Sequence, residues 1–324
     1  MYYPKFLKDN DTIGITALSS GVGHKMDSFN ESVSYIQNQG FKVYETKNVR
    51  NDSEPSSSAL DRAKQFHQIL NDPNISAIFC AAGGDFQIET MPYIDFDEIK
   101  KHPKWILGAS DPTNLLFPMT CACDIATIYG FNGGSFDADG INTYSQQLFD
   151  FLKGNNPCLY SSEMHQHLDY YNDGKPILNT KTKYQGNLNC TGRLLGGCFE
   201  SINDLAGTPY DHVKDFINRY KKDGIIWFFD VFSMNSCDLY RALLKMKSLS
   251  YFTYTKAIIV GRVLFENVSE LISYQEAFHR ACPDLPILME TDIGHTYPHL
   301  YLINGSLAHI QIQEGKGSFQ YILE

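Results

Sequence analysis

Two rhythms of apolar and polar positions alternate along the first 150 residues. "DTIGITAL" (11–18) is a short apolar run suited to a buried strand, and it opens into a loop, "SSGVGH". "KMDSFNESVSYIQNQG" spaces Phe29, Val33 and Ile36 at helical intervals and stops at Gly40. "FKVYET" alternates as a strand. "SSSALDRAKQFHQILND" predicts a serine-capped helix with Leu60, Ala63, Phe66 and Leu70 as its apolar positions. "ISAIFCAAGG" is continuously apolar up to the pair Gly83–Gly84. "KWILGASDPTNLLF" (104–117) reads as strand, sharp turn and helix, with Asp111 as a capping carboxylate and Pro112 at the first helical position. This βαβα order predicts an α/β fold whose N-terminal domain holds a mostly parallel sheet flanked by helices.

The rhythm breaks near residue 151. Residues 151–185 are polar, tyrosine-rich and weakly periodic, and read as an irregular linker between a domain at 1–150 and another at 186–324. The second is expected to be a smaller α/β domain with β-rich elements. "TGRLLGGCFESINDLAGTPYD" reads as a glycine-pair turn feeding a short helix. "GIIWFFDVF" and "AIIVGRVLF" are strands, and "SCDLYRALLKMKSL" and "SELISYQEAFHRAC" are helices. "LPILMETDIGHT" is a strand entering a loop, and "SLAHIQIQEGKGSFQYILE" a closing hairpin.

Composition narrows the picture. A chain of 324 residues exceeds what one core usually serves. Its formal charge of −10, with no basic run, argues against nucleic acid or an anionic membrane surface as the main partner. No apolar run approaches the roughly 20 residues a bilayer span needs, and no signal-peptide pattern opens the chain, so a cytoplasmic location is expected. The eight cysteines are scattered without CxxC spacing and read as reduced, mostly packing residues.

Ser110 occupies the apex of the strand–turn–helix segment, where helix-start amides favour developing negative charge. Activating a serine needs a base and an oxyanion site. From the segment alone, a serine that only shapes a surface turn is the plainer reading, because the G-x-S-x-G pattern is missing. His295 follows a buried strand and a glycine, so it sits on a loop at a strand's C-terminal edge. His299 lies four residues on, but Pro298 and the lack of HExxH speak against a metal site, and none is expected. Asp230 ends the run "GIIWFF" and is the best acid to orient a histidine, although a strand-end aspartate is the bland alternative. "GITALSSGVG" matches a dinucleotide loop only weakly, lacking the third glycine of G-x-G-x-x-G.

In order along the chain, "FLKDNDTIGITALSSG", "AAGGDFQIETMPYIDFDEIKKHPKWILGASDPTNLLF", "GRLLGGCFESINDLAGTPYD" and "TDIGHT" resemble the LD-carboxypeptidase family of serine peptidases (peptidase family S66). That family includes murein tetrapeptide carboxypeptidases and microcin C immunity-type peptidases. The resemblance implies a Ser–Glu–His triad, with the nucleophile on Ser110 and the base on His295. Backbone amides of Gly84, with Gly83, and of Asp111 would form the oxyanion hole. It implies no metal or organic cofactor, a peptide or peptidyl-nucleotide substrate, and a homodimer. The family's "IWFLE" type segment is "IWFFD" here, so the glutamate position falls on Asp230. Aspartate is one methylene shorter, and misplacement by about 1 Å can cost about 10²-fold in rate. A rival to the peptidase is therefore a catalytically weakened binding or sensing module on the same scaffold.

Overall fold

The computed structural model describes residues 1–137, 140–167, 171–172 and 175–323. It divides into two compact units, one of Met1–Pro157 with Tyr301–Asn304 and the other of Cys158–Leu300 with Gly305–Glu324.

The first unit runs β1 (Thr12–Thr16), α1 (Met26–Asn38), β2 (Lys42–Glu45), α2 (Ala59–Asn71), β3 (Ile75–Cys80), α3 (Phe96–Lys101), β4 (Trp105–Gly108), α4 (Thr113–Cys123), β5 (Thr127–Tyr129) and α5 (Ser145–Leu152). Its sheet has the order β2-β1-β3-β4-β5, all parallel, and is completed by an antiparallel strand, Leu302–Asn304, beside β5. The strand order reverses between β1 and β3, and open α/β sheets place their crevice at such a point. All four residues of β4 are buried, as is every α4 residue from Thr113 to Cys121. A helix apolar nearly all round belongs inside a core.

Helix α2 is capped by the Ser58 hydroxyl, which accepts from the Asp61 N–H. Its buried stripe is Arg62, Ala63, Phe66, Ile69 and Leu70, whereas Leu60 is 43% exposed, contrary to the expected apolar face. Arg62 can lie in that stripe because both terminal nitrogens of its guanidinium are bonded. It donates to the carbonyls of Leu18 and Phe86 and pairs with Glu89 at 2.7 Å.

The second unit runs β6 (Leu159–Tyr160), β7 (Met164–His165), β8 (Tyr171–Asn172), β9 (Lys175–Pro176), β10 (Thr180–Lys181), β11 (Leu188–Cys198), α6 (Phe199–Leu205), α7 (Val213–Arg219), β12 (Ile225–Asp230), α8 (Ser236–Ser248), β13 (Thr255–Gly261), α9 (Tyr274–Ala281) and β14 (Ile287–Thr291). The strand lent to the first unit is β15 (Leu302–Asn304), and β16 (Leu307–Gln313) and β17 (Lys316–Ile322) follow. The main sheet has the order β14-β13-β12-β11-β16-β17-β6. Its β11–β14 half is parallel, and β16, β17 and β6 join antiparallel. The β16–β17 turn, Glu314–Gly315, has two positive φ angles, as a two-residue hairpin of this hand requires.

Several expectations change here. The second unit is essentially as long as the first rather than smaller. Much of the segment read as a linker belongs to the second unit: β6 pairs with β17, β7 with β10, and Gln185 bridges to Met289. Gly196–Gly197 is the end of β11, not a turn. A Cβ on Gly196 would fall 1.8 Å from the Phe228 carbonyl oxygen, so glycine lets β11 and β12 close. Helix α9 starts only after the "SELIS" residues, at a capping box of Ser273 and Glu276. Among the described residues no helix is long and apolar enough to cross a membrane.

Phe66→Ala is expected to cost about 3–5 kcal/mol in urea unfolding, whereas Leu60→Ala stays within about 0.5 kcal/mol of wild type.

Candidate active site

At the end of β4, Ser110 adopts the left-handed conformation, φ 66°, which side-chain-bearing residues seldom hold. Such backbone persists only where its surroundings over-determine it. Here the Ser110 N–H donates to the Tyr129 hydroxyl at 3.2 Å. Asn132 latches the preceding residue, accepting from the Ala109 N–H and donating to its carbonyl. Gly83 lies directly against the serine: a Cβ there would sit 3.0 Å from Ser110 Cβ and 3.2 Å from its Oγ. Gly84, at φ 135°, has no room for a side chain either, since a Cβ would meet the hydroxyls of Ser19 and Ser20.

Asp111 does not cap α4 with its carboxylate. The carboxylate is buried and turned toward the other loops, accepting from the Ser19 hydroxyl, the Gln87 N–H at 2.8 Å and Asn114 Nδ2 at 2.7 Å. Burial pushes its pKa up, against the hydrogen bonds that pull it down. One acid thus ties the loop after β1, the chain beyond the glycine pair, and α4 into a single cradle. Among the described residues the amides of Gly83, Gly84 and Asp111 have no acceptor. The rival dinucleotide loop is put to another use. A Cβ on Gly21 would fall 2.1 Å from the Asn51 carbonyl oxygen, so that glycine serves a chain crossing.

In the second unit, four neighbouring strands each deliver a residue just beyond or at their C-terminal ends: Glu200 after β11, Asp230 on β12, Arg262 after β13 and His295 after β14. Asp230 Oδ2 lies 2.9 Å from His295 Nδ1, and the two side chains are 1% and 22% exposed. The shorter acid therefore reaches its histidine. Gly294 makes this approach possible: at φ 100°, a Cβ would fall 2.1 Å from Asp230 Oδ1. An acid on Nδ1 fixes the tautomer that leaves Nε2 as the base. Burial alone would lower the His295 pKa, but the charge and hydrogen bond of Asp230, with the charge of Glu200, raise it. Phe232 packs on the imidazole with ring centroids 4.5 Å apart.

His299 is buried and driven down to about 4 by desolvation and then by His295. It is neutral at pH 7. No cluster of three metal-binding side chains occurs among the described residues. Burial also raises Cys80 to about 12 and Cys123 to about 11, which leaves both as thiols.

Sequence reasoning missed Arg262 and Asp292. They form a buried ion pair at 2.6 Å, and Arg262 also bonds Glu290 O, Thr296 Oγ1 and Pro298 O, holding both sides of the His295 loop. Asp292 is anchored in turn by Ser162 and the Tyr184 hydroxyl. Both residues stand at strand ends, beside "IIVG" and before "IGH", which is the only sequence signal they carry.

Ser110, Gly83, Gly84 and Asp111 are thus brought together in the first unit, and Asp230 and His295 in the second. Residues 13–130 match the LD-carboxypeptidase N-terminal domain and residues 191–310 the LD-carboxypeptidase C-terminal domain, so the chain belongs to the LD-carboxypeptidase family. It is 24% identical over 310 residues to the microcin C7 self-immunity protein MccF of Escherichia coli, covering 90% of this chain and 88% of that one. It is 24% identical over 212 residues to a probable murein peptide carboxypeptidase of Bacillus subtilis, covering 65% and 61%. An MccF-like protein from Bacillus anthracis shares the fold over the whole of both chains, with a TM-score of 0.85 at 24% identity.

Arg262→Ala is expected to lower stability by about 3–5 kcal/mol, because it strands the buried Asp292 carboxylate. Arg280→Ala, in an exposed pair with Glu276, is expected to change it by less than about 0.5 kcal/mol in the same thermal unfolding experiment.

Proposed function

We propose that this peptidase is a serine carboxypeptidase of LD type, with Ser110 as nucleophile, His295 as general base and Asp230 as the acid that orients it. The observation that carries the reading is the 2.9 Å contact of Asp230 with His295 Nδ1, which meets the demand a shortened acid leaves open. Ser110 Oγ attacks the carbonyl carbon of a C-terminal amide bond while His295 Nε2 takes its proton. The tetrahedral oxyanion accepts from the N–H groups of Gly84 and Asp111, with Gly83 keeping the loop close enough. Collapse breaks the C–N bond, and His295 returns the proton to the leaving amine. Water then repeats the sequence on the acyl-serine, again through His295, and releases the acid.

The substrate we propose is a murein-derived peptide that loses a terminal D-residue in cell-wall recycling. The protein would work in the cytoplasm, where its scattered cysteines stay reduced, and as a homodimer, as its family resemblance implies. The second reading, cleavage of a peptidyl or aminoacyl nucleotide, is favoured by the greater coverage of the chain by MccF than by the murein peptide relative. MccF has been solved in complex with glutamyl sulfamoyl guanosine.

Incubation with a murein tetrapeptide is expected to release D-alanine, and Ser110→Ala to abolish the release; release that survives the substitution contradicts the nucleophile. Hydrolysis of an aminoacyl sulfamoyl nucleoside without D-alanine release selects the second reading. Because Asp230 raises the His295 pKa, kcat/KM is expected to fall on the acid side from above the ordinary histidine value of 6.5. Asp230→Asn should reduce kcat by about 10³-fold or more and move that limb to lower pH.

A further inference from the structure

Glu200 lies in the first turn of α6, immediately after β11, and takes no part in the steps above. Its carboxylate accepts from three successive backbone amides: Phe232 N–H at 3.1 Å, Ser233 N–H at 2.9 Å and Met234 N–H at 3.0 Å, all to Oε1. The Phe232 N–H also reaches Oε2 at 3.3 Å, and the Cys198 thiol donates to Oε2 at 3.5 Å. Three consecutive amides turned onto one oxygen form an anion-binding concavity built from main chain, and here the anion is the protein's own. The turn so held begins two residues after Asp230 and carries Phe232, whose ring packs against His295 at a tilt of 44°.

We propose that Glu200 is a positioning residue for the Asp230–His295 pair. It clamps the 232–234 turn, so that the end of β12 and the Phe232 ring are fixed against the imidazole. The inference rests on His295 being the working base. The functional groups that face His295 are Asp230 from β12, Glu200 from α6 and His299 on its own loop. His299 is neutral at pH 7 and the Cys198 thiol beside Asp230 is kept protonated by burial, which leaves Glu200 as the second negative charge the imidazole meets.

The test uses the full chain and the variants Glu200→Gln and Glu200→Ala, with His295 titrated by NMR through its ring C–H signals, assigned with His295→Gln. Glu200→Gln keeps an acceptor oxygen and removes the charge, so the His295 midpoint and the acid limb of kcat/KM are expected to move together to lower pH. Glu200→Ala frees the turn as well, and kcat is expected to fall by about tenfold or more with KM changed far less. A His295 midpoint at its wild-type position in Glu200→Gln overturns the proposal, as does a wild-type kcat in a folded Glu200→Ala. Should Glu200→Ala fail to fold, the Glu200→Gln midpoint still decides. The titration needs no turnover: a wild-type protein that cleaves nothing refutes the serine peptidase reading, while the midpoint judges Glu200 separately.

Discussion

The close approach of the Gly294 backbone to the Asp230 carboxylate is the constraint on which the histidine half of the site depends. A buried acid is costly unless it is paired, and Asp230 ends a strand whose six residues are all buried. Its partner cannot come from its own strand. It comes from a loop that must pass within contact of the carboxylate, and only a residue without a Cβ, free to take φ 100°, can form that loop there. The Arg262–Asp292 pair then holds the two sides of the loop, so the imidazole is fixed by bonds at its base as well as by Asp230.

Both units apply the same architectural rule to different chemistry. Parallel strands end together, and the loops at their C-terminal edge are the part of an α/β fold free to carry function. In the first unit that edge presents Ser19, Gly83–Gly84 and Ser110, with Asp111 as the buried tie between the loops. In the second it presents Glu200, Asp230, Arg262 and His295 from four adjacent strands. In each unit a carboxylate accepts backbone N–H groups of a neighbouring loop, the buried Asp111 from Gln87 in one and the half-buried Glu200 from Phe232, Ser233 and Met234 in the other. Charge-assisted bonds of this kind are stronger than neutral ones, and they fix geometry where packing alone would leave a loop free.

What local pattern can show is a matter of range. The βαβ order, the turn at Ser110 and the acid ending "IWFF" are legible because each is written within about ten neighbouring residues. Leu60 misleads because the helix turns its stripe toward Arg62, a buried arginine whose two terminal nitrogens are bonded. Gly196–Gly197 reads as a turn because the close approach of Phe228, some thirty residues on, leaves no local trace. The strand Leu302–Asn304 returns to the first sheet after the chain has built most of the second unit, so the domain boundary cannot be drawn from composition. Glu200 and Arg262 look like ordinary surface charges until the strands that flank them are paired.

Labelling with a fluorophosphonate probe, followed by mass-spectrometric mapping of the adduct, tests the central claim most directly. The account predicts a single covalent adduct on Ser110 of the wild-type protein, formed much more slowly in His295→Ala and Asp230→Asn. An adduct on another residue, or labelling of Ser110 at the wild-type rate in both variants, would contradict it.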